Sequence, residues 1–290
     1  MPSLKDLKVR IKSVRSTQKI TKAMKMVAAS KLRRAREAAE ASRPYAAAME
    51  RMLGRLAAGY TGRSNAPVLL AGTGRDDKQL IIVVTSDRGL AGALNSSVIR
   101  AVRKQARDLK SQGKQVFFYT VGRKGREGLA SEFKGALLAE RTEVAKKIVE
   151  YKTAESVAQE VTDLIAREGI DVVGIYYSQF KSAIAQIPTY QQLVPLVVEQ
   201  SSDAQDAPYE YEPEEDEILA DLLPKNLAMQ IFKALLESAA SEQGARMNAM
   251  ESATKNAGEM IKKLTLKYNR TRQANITKEL IEIISGAEAL

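Results

Sequence analysis

MESATKNAGEMIKKLTLKY, residues 250–268, places Met250, Thr254, Ala257, Ile261, Leu264 and Tyr268 in alternating steps of four and three. That spacing is the narrow apolar seam of a coiled-coil helix. The surrounding stretch, 225–290, contains no proline, and its seam resumes at Ile276, Leu280, Ile283 and Ala287. A helix of that extent is roughly 100 Å long at about 1.5 Å per residue. No ordinary domain core has that length. A helix with so thin a stripe needs a partner along its course.

The matching stripe lies at the other end of the chain. Residues 3–59 carry apolar or small side chains at Leu4, Leu7, Ile11 and Val14, then Ile20, Met24 and Val27, then Ala35, Ala38, Tyr45, Met49, Met52 and Leu56. The two ends are therefore expected to wind together antiparallel, with register slips near 14–20 and 268–276. A kink is expected near Pro44, whose ring removes one backbone hydrogen bond.

Between the ends the period changes. Gln79–Thr85 (QLIIVVT), Gln115–Val121 (QVFFYTV), Ile170–Tyr177 (IDVVGIYY) and Gln186–Val198 read as strands, and Asn95–Gln112 and Val149–Arg167 as helices. Strands alternating with helices predict a mainly parallel sheet. The fold class is thus α/β: a long antiparallel coiled coil of the N- and C-terminal helices with an inserted Rossmann-like α/β domain. The expected divisions are 1–60 for the first helix, 75–200 for the α/β domain, 201–224 for an acidic linker and 225–290 for the last helix.

Composition narrows the chemistry. The 290 residues include no Cys and no His. This removes thiol nucleophiles, imidazole bases and nearly all zinc sites. No run of 18 or more apolar residues is present, so no membrane-spanning helix is expected. The amino terminus lacks the apolar core of a signal peptide, which points to a bacterial cytoplasmic protein. The net charge of +10 is concentrated: residues 1–60 carry a local +11, whereas 203–221 hold nine acids and no base. That basic segment fits either a solvated helix or an anionic partner, protein or nucleic acid. Its cations surround the helix, and few aromatics interleave, which favours protein.

Two glycine-rich turns follow strands. The first, Ser86-Asp87-Arg88-Gly89-Leu90-Ala91-Gly92-Ala93-Leu94-Asn95, sits where a doubly wound domain places a phosphate-binding turn. It lacks the three-glycine dinucleotide spacing, and no P-loop pattern occurs in the chain. A tight structural turn and a ligand site both remain open there, the former favoured. The second cluster, Gly122-Arg123-Lys124-Gly125-Arg126, is a weaker signal. The acids from Glu212 to Glu217 read as a solvated loop. No catalytic constellation, cofactor site or metal site is expected.

Four stretches carry a family resemblance. QKITKAMKMVAASKLRRA (18–35), SDRGLAGALN (86–95), SEQGARMNAMESATKNA (241–257) and YNRTRQANITKELIEIISGAEAL (268–290) resemble, in order, segments of the F-type ATP synthase gamma subunit. The resemblance implies a non-catalytic rotor at the cytoplasmic face of a bacterial inner membrane. Its implied partners are the alpha and beta subunits as a hexamer, the epsilon subunit and the c-ring. By the same resemblance, Arg272 and Gln273, with Thr277 and Glu279 in the next turn, form a polar catch on beta. Met24 meets the acidic lever loop of beta, and Ser86, Asp87, Arg88, Gly89 and Leu90 meet that loop at another height. Tyr209 and Tyr211 resemble the foot facing the c-ring. The competing expectation from the residues alone is a coiled-coil adaptor docking an acidic protein.

Overall fold

The computed structural model describes residues 3–58, 60, 66–144, 148–197 and 215–288. The chain forms two compact units: Met1–Ala29 with Arg246–Leu290, and Ser30–Ala245. Two long helices, α1 (Leu4–Ala58) and α6 (Glu215–Glu288), contribute to both.

In the first unit the two helices run antiparallel. Gln18 donates to the Thr254 carbonyl at 3.4 Å, and the Thr21 and Thr254 hydroxyls meet at 2.7 Å. Lys25 pairs with Glu251 at 2.6 Å. On α1 the covered positions are Leu4, Leu7, Ile11, Val14, Gln18, Thr21, Met24, Lys25 and Ala28. The expected slip near 14–20 is therefore absent, because the heptad continues through polar Gln18 and Thr21. Ile20 and Val27, assigned to the seam by their hydrophobicity, are exposed instead.

On α6 the line Met250, Thr254, Ala257, Ile261, Leu264, Tyr268 is covered as expected and extends to Thr271. Beyond it, Ile276, Leu280, Ile283 and Ala287 are exposed, which corrects the expected resumption of the seam. Counting antiparallel from the Thr21–Thr254 contact, Leu4 falls opposite the turn Tyr268–Thr271. α1 begins at Leu4, and Arg272 to Ser285 are exposed.

The second unit is built on a five-stranded sheet. Its strands are β1 (Lys78–Val84), β2 (Gln115–Val121), β3 (Leu137–Arg141), β4 (Val172–Phe180) and β5 (Gln186–Val194), in the order β3-β2-β1-β4-β5. The first four are parallel, and β5 pairs antiparallel with β4. β1 is buried along nearly its whole length, as a strand covered on both faces must be. One face packs Ile81, Val83 and Phe118 against Val98, Val102 and Ala106 of α3 (Leu94–Ser111). The other packs Leu80, Ile82 and Tyr119 against Val157 and Val161 of α5 (Tyr151–Glu168), and against Leu227, Ile231 and Leu235 of α6.

Several short elements escaped the sequence. β3 is a half-buried edge strand, and α4 (Arg123–Leu129) is a short helix containing two glycines. Both lack a strong period. A short helix α2 (Val68–Ala71) precedes β1.

Both long helices run through proline, Pro44 in α1 and Pro224 in α6. Residues 215–224, expected within the linker 201–224, are helical, and 201–214 lie outside the described residues. Each proline removes one intrahelical hydrogen bond. Packing compensates: Leu219 and Leu223 of α6 are buried with Met49, Leu53 and Leu56 of α1. Tyr45 and Met52, expected on that stripe, are exposed.

Candidate partner-contact surfaces

β1 leads into a turn whose own side chains hold it. The Ser86 backbone N–H donates to Asn95 Oδ1 at 3.0 Å, and Asn95 Nδ2 donates to Ser86 Oγ at 2.8 Å. Ser86 Oγ in turn donates to the Arg88 carbonyl at 2.5 Å. The Asp87 carboxylate accepts the backbone N–H groups of Arg123 at 3.1 Å and Glu143 at 2.8 Å. Two of the expected contact residues, Ser86 and Asp87, therefore serve the turn itself.

Arg88, Gly89 and Leu90 form its exposed tip. Leu90 is 63% exposed and adopts φ +65°, a left-handed conformation that costs energy for a branched side chain. Behind the tip, Ala91 and Leu94 are buried against Ala245 of α6.

The second glycine cluster packs directly against this corner. A Cβ on Gly122, at φ +95°, would lie 2.1 Å from the Thr85 carbonyl oxygen. The close approach lets Gly125 N–H reach Thr85 Oγ1 at 2.8 Å and Lys124 N–H reach the Ser86 carbonyl at 3.1 Å. The glycines were visible in the sequence; the strand end they abut was not.

The carboxyl ends of β1 and β4 meet where the strand order reverses, the position at which open α/β sheets bind ligands. Here α6 crosses that crevice. Leu235, Ser238, Ala239 and Glu242 face Thr85, Ser86, Asn95 and Ser178 across a cavity of about 30 Å³. Ser238 Oγ accepts the Ser178 N–H at 3.3 Å, and Ser241 Oγ donates to the Ser178 carbonyl at 2.8 Å. A volume of that order accommodates a water molecule and not a nucleotide. Among the described residues, no group of three His, Cys, Asp or Glu is placed to hold a metal.

In the first unit, Met24 is half-buried beside the Lys25–Glu251 pair. Arg272, Gln273, Thr277 and Glu279 are all exposed on the part of α6 beyond its partner. Helical spacing places Gln273, Thr277, Leu280 and Ile284 along one face and Arg272, Ile276, Glu279 and Ile283 along the next. Ile283 is 71% exposed. A lone helix presenting this much aliphatic surface is incomplete by itself. Tyr209 and Tyr211 lie outside the described residues.

Residues 3–290 match the family described as ATP synthase. Over 290 residues the chain is 56% identical to the ATP synthase gamma chain of Bradyrhizobium diazoefficiens, covering 100% of both chains. The chain belongs to the gamma-chain family of ATP synthases. The gamma chain of Paracoccus denitrificans is 54% identical, again over 100% of both chains. The fold also matches a chain in the central stalk and c-ring of the Tetrahymena thermophila mitochondrial ATP synthase. That likeness has a TM-score of 0.63 and 31% identity, covering 81% of this chain and 99% of the other. A chain of the Euglena gracilis mitochondrial ATP synthase shares the fold, with a TM-score of 0.69 at 18% identity, covering 99% and 94%. Membership of the gamma-chain family along the full sequence displaces the adaptor reading. It also agrees with the expected combination of paired terminal helices and a mainly parallel sheet.

Proposed function

We propose that this chain is the central rotor shaft of an F-type ATP synthase. It couples proton-driven turning of a c-ring to the conformational cycle of the beta subunits. The observation that carries the reading is the full-length family match together with a helical end that no other described residue covers. The nucleotide chemistry belongs to the alpha–beta hexamer, and this subunit is not itself catalytic. Filling of the sheet's crevice by α6 supports that division of labour.

A shaft biases a beta subunit only by contacting its alternative states differently. In this reading the exposed end of α6 enters the hexamer. Arg272 and Gln273, backed by Thr277 and Glu279, supply a polar catch, while the aliphatic face turns in an apolar sleeve. Met24 and the tip Arg88–Leu90 meet beta at two further heights, with Ser86 and Asp87 holding that tip in shape. The foot, with Tyr209 and Tyr211, meets the c-ring, and the epsilon subunit binds alongside. The complex lies at the cytoplasmic face of the bacterial inner membrane. No helix of the described residues is long and apolar enough to cross a membrane, so the chain attaches through its partners.

Reconstitution with alpha and beta subunits tests the proposal. The chain alone is expected to hydrolyse no ATP, and adding it to the hexamer to produce cooperative hydrolysis. A chain that neither joins nor activates the hexamer defeats the proposal.

A further inference from the structure

We propose that the groove between α3 and α4 docks a carboxylate-rich protein segment, gripped by Arg100 and Lys104. α3 carries Arg100, Arg103, Lys104 and Arg107 at spacings that place all four on one face. With Ser96, Ile99, Gly128 and one carboxylate, Asp108 at the Arg107 end, they line a groove of about 700 Å³. Its floor is a close helix crossing, since a Cβ on Gly128 would lie 2.5 Å from Ile99 Cδ1.

The chain itself shows how two of these cations receive a carboxylate. Glu132 lies across Arg103 and Arg107, with its oxygens 3.3 Å from Arg103 Nε and 2.7 Å from Arg107 Nε. Arg103 also donates to the Gly128 carbonyl, which holds its guanidinium in place. Arg100 and Lys104 repeat the same one-turn separation, three residues nearer the start of α3. Both are exposed, and among the described residues no carboxylate pairs with them. The row of positive charge is thus compensated at one end and open at the other.

Three of the four cations are arginine, whose planar fork suits an acceptor with two oxygens. The row spans about 10 Å along α3, at about 1.5 Å per residue. That matches acidic side chains one turn apart on a partner helix. None of the described lining residues is aromatic, so the groove offers no ring on which a base could stack. These features select an acidic protein segment over nucleic acid.

The test uses the full-length chain and a fluorescein-labelled helical peptide with glutamates at positions i, i+4 and i+7. Binding is followed by anisotropy at low ionic strength, and carbodiimide coupling locates the contact by mass spectrometry. The peptide is expected to couple to Lys104. Arg100→Gln combined with Lys104→Gln should weaken binding about tenfold. Neutralising Lys110 and Lys134 instead should change it by less than about twofold. Circular dichroism confirms that both variants are folded. Three results overturn the proposal: no peptide binding, equal binding by the Arg100/Lys104 variant, or tighter binding of a duplex oligonucleotide or inorganic phosphate.

Discussion

The hydroxyl oxygens of Thr21 and Thr254 face each other at 2.7 Å across the two-helix seam. Thr21 is only 8% exposed. Each hydroxyl also reaches a carbonyl of its own helix, Thr254 Oγ1 that of Met250 at 2.7 Å and Thr21 Oγ1 that of Gln18 at 3.1 Å, so either can donate across the seam. A paired polar layer in a largely apolar seam favours one register at a cost in stability. Valine at either position alone removes a hydrogen bond, and is expected to destabilise by about 1 kcal/mol. Valine at both is expected to be neutral or stabilising, because two apolar side chains of the same shape then meet in the seam. Thermal denaturation of the two single variants and the double variant checks this. Strict additivity of the single losses would contradict it.

Gly122→Ala tests the corner beneath the turn. The added methyl would meet the Thr85 backbone at 2.1 Å in a left-handed conformation. Neither element can give way without breaking the Thr85–Gly125 and Ser86–Lys124 bonds. The expected loss is about 4 kcal/mol or more, measured by urea unfolding or seen as failure to accumulate folded protein. Gly92→Ala, at φ +57° with open space around its Cβ, should cost about 1 kcal/mol.

Asp171 gives the α/β unit an acid-sensitive tie. Its side chain is buried, accepts from the Thr73 hydroxyl and from Lys78 N–H at 2.9 Å, and lies 3.6 Å from Arg75 Nε. Burial alone would raise its pKa. The Thr73 and Lys78 hydrogen bonds, the nearby Arg75 charge and the Asp77 amide outweigh burial and hold it below the ordinary 3.8. A carboxylate depressed on folding stabilises fully above its unfolded value, and the benefit is lost as pH falls through the folded one. Asp171→Asn should therefore lower stability at pH 7 by about 2 kcal/mol. It should also flatten the loss of stability that begins below about pH 4, where the unfolded chain takes up a proton that the native Asp171 resists. Urea unfolding between neutral and acid pH reads both effects.

Arg272→Ala combined with Gln273→Ala separates mechanics from stability. Both residues are exposed, so folding stability should stay within about 0.5 kcal/mol. If they form the catch, ATP hydrolysis by the assembled complex should fall about fivefold or more with assembly intact. Unchanged turnover would remove these residues from the coupling role.

The regular parts of this fold were legible because one physical pattern dominated each. The line Met250–Tyr268 is covered as its spacing demands, and QLIIVVT could only be a buried strand. Errors arose where local signals compete. Ile20 and Val27 looked like seam positions by hydrophobicity, yet the geometry of α1 puts Gln18 and Thr21 there. Pro224 looked like a helix boundary, but burial of Leu219 and Leu223 outweighs one lost hydrogen bond. At the candidate contact surfaces, the residues of the turn were visible as a motif. Their division into an exposed tip and internal staples was not, since that depends on Arg123 and Glu143 arriving from distant sequence.

By itself the sequence determined that two long helices carry matching stripes around an α/β insertion, and that thiol and imidazole chemistry are absent. It also carried the family signatures. Periodicity and composition are local properties, readable residue by residue. Only the tertiary structure decided where α1 stops covering α6, which leaves α6 from Arg272 onward uncovered by any described residue. It alone showed that α6 fills the crevice in which such a sheet would otherwise hold a ligand. Both outcomes depend on which distant segments meet and in what register, a matter of packing that spacing along one strand or helix does not encode.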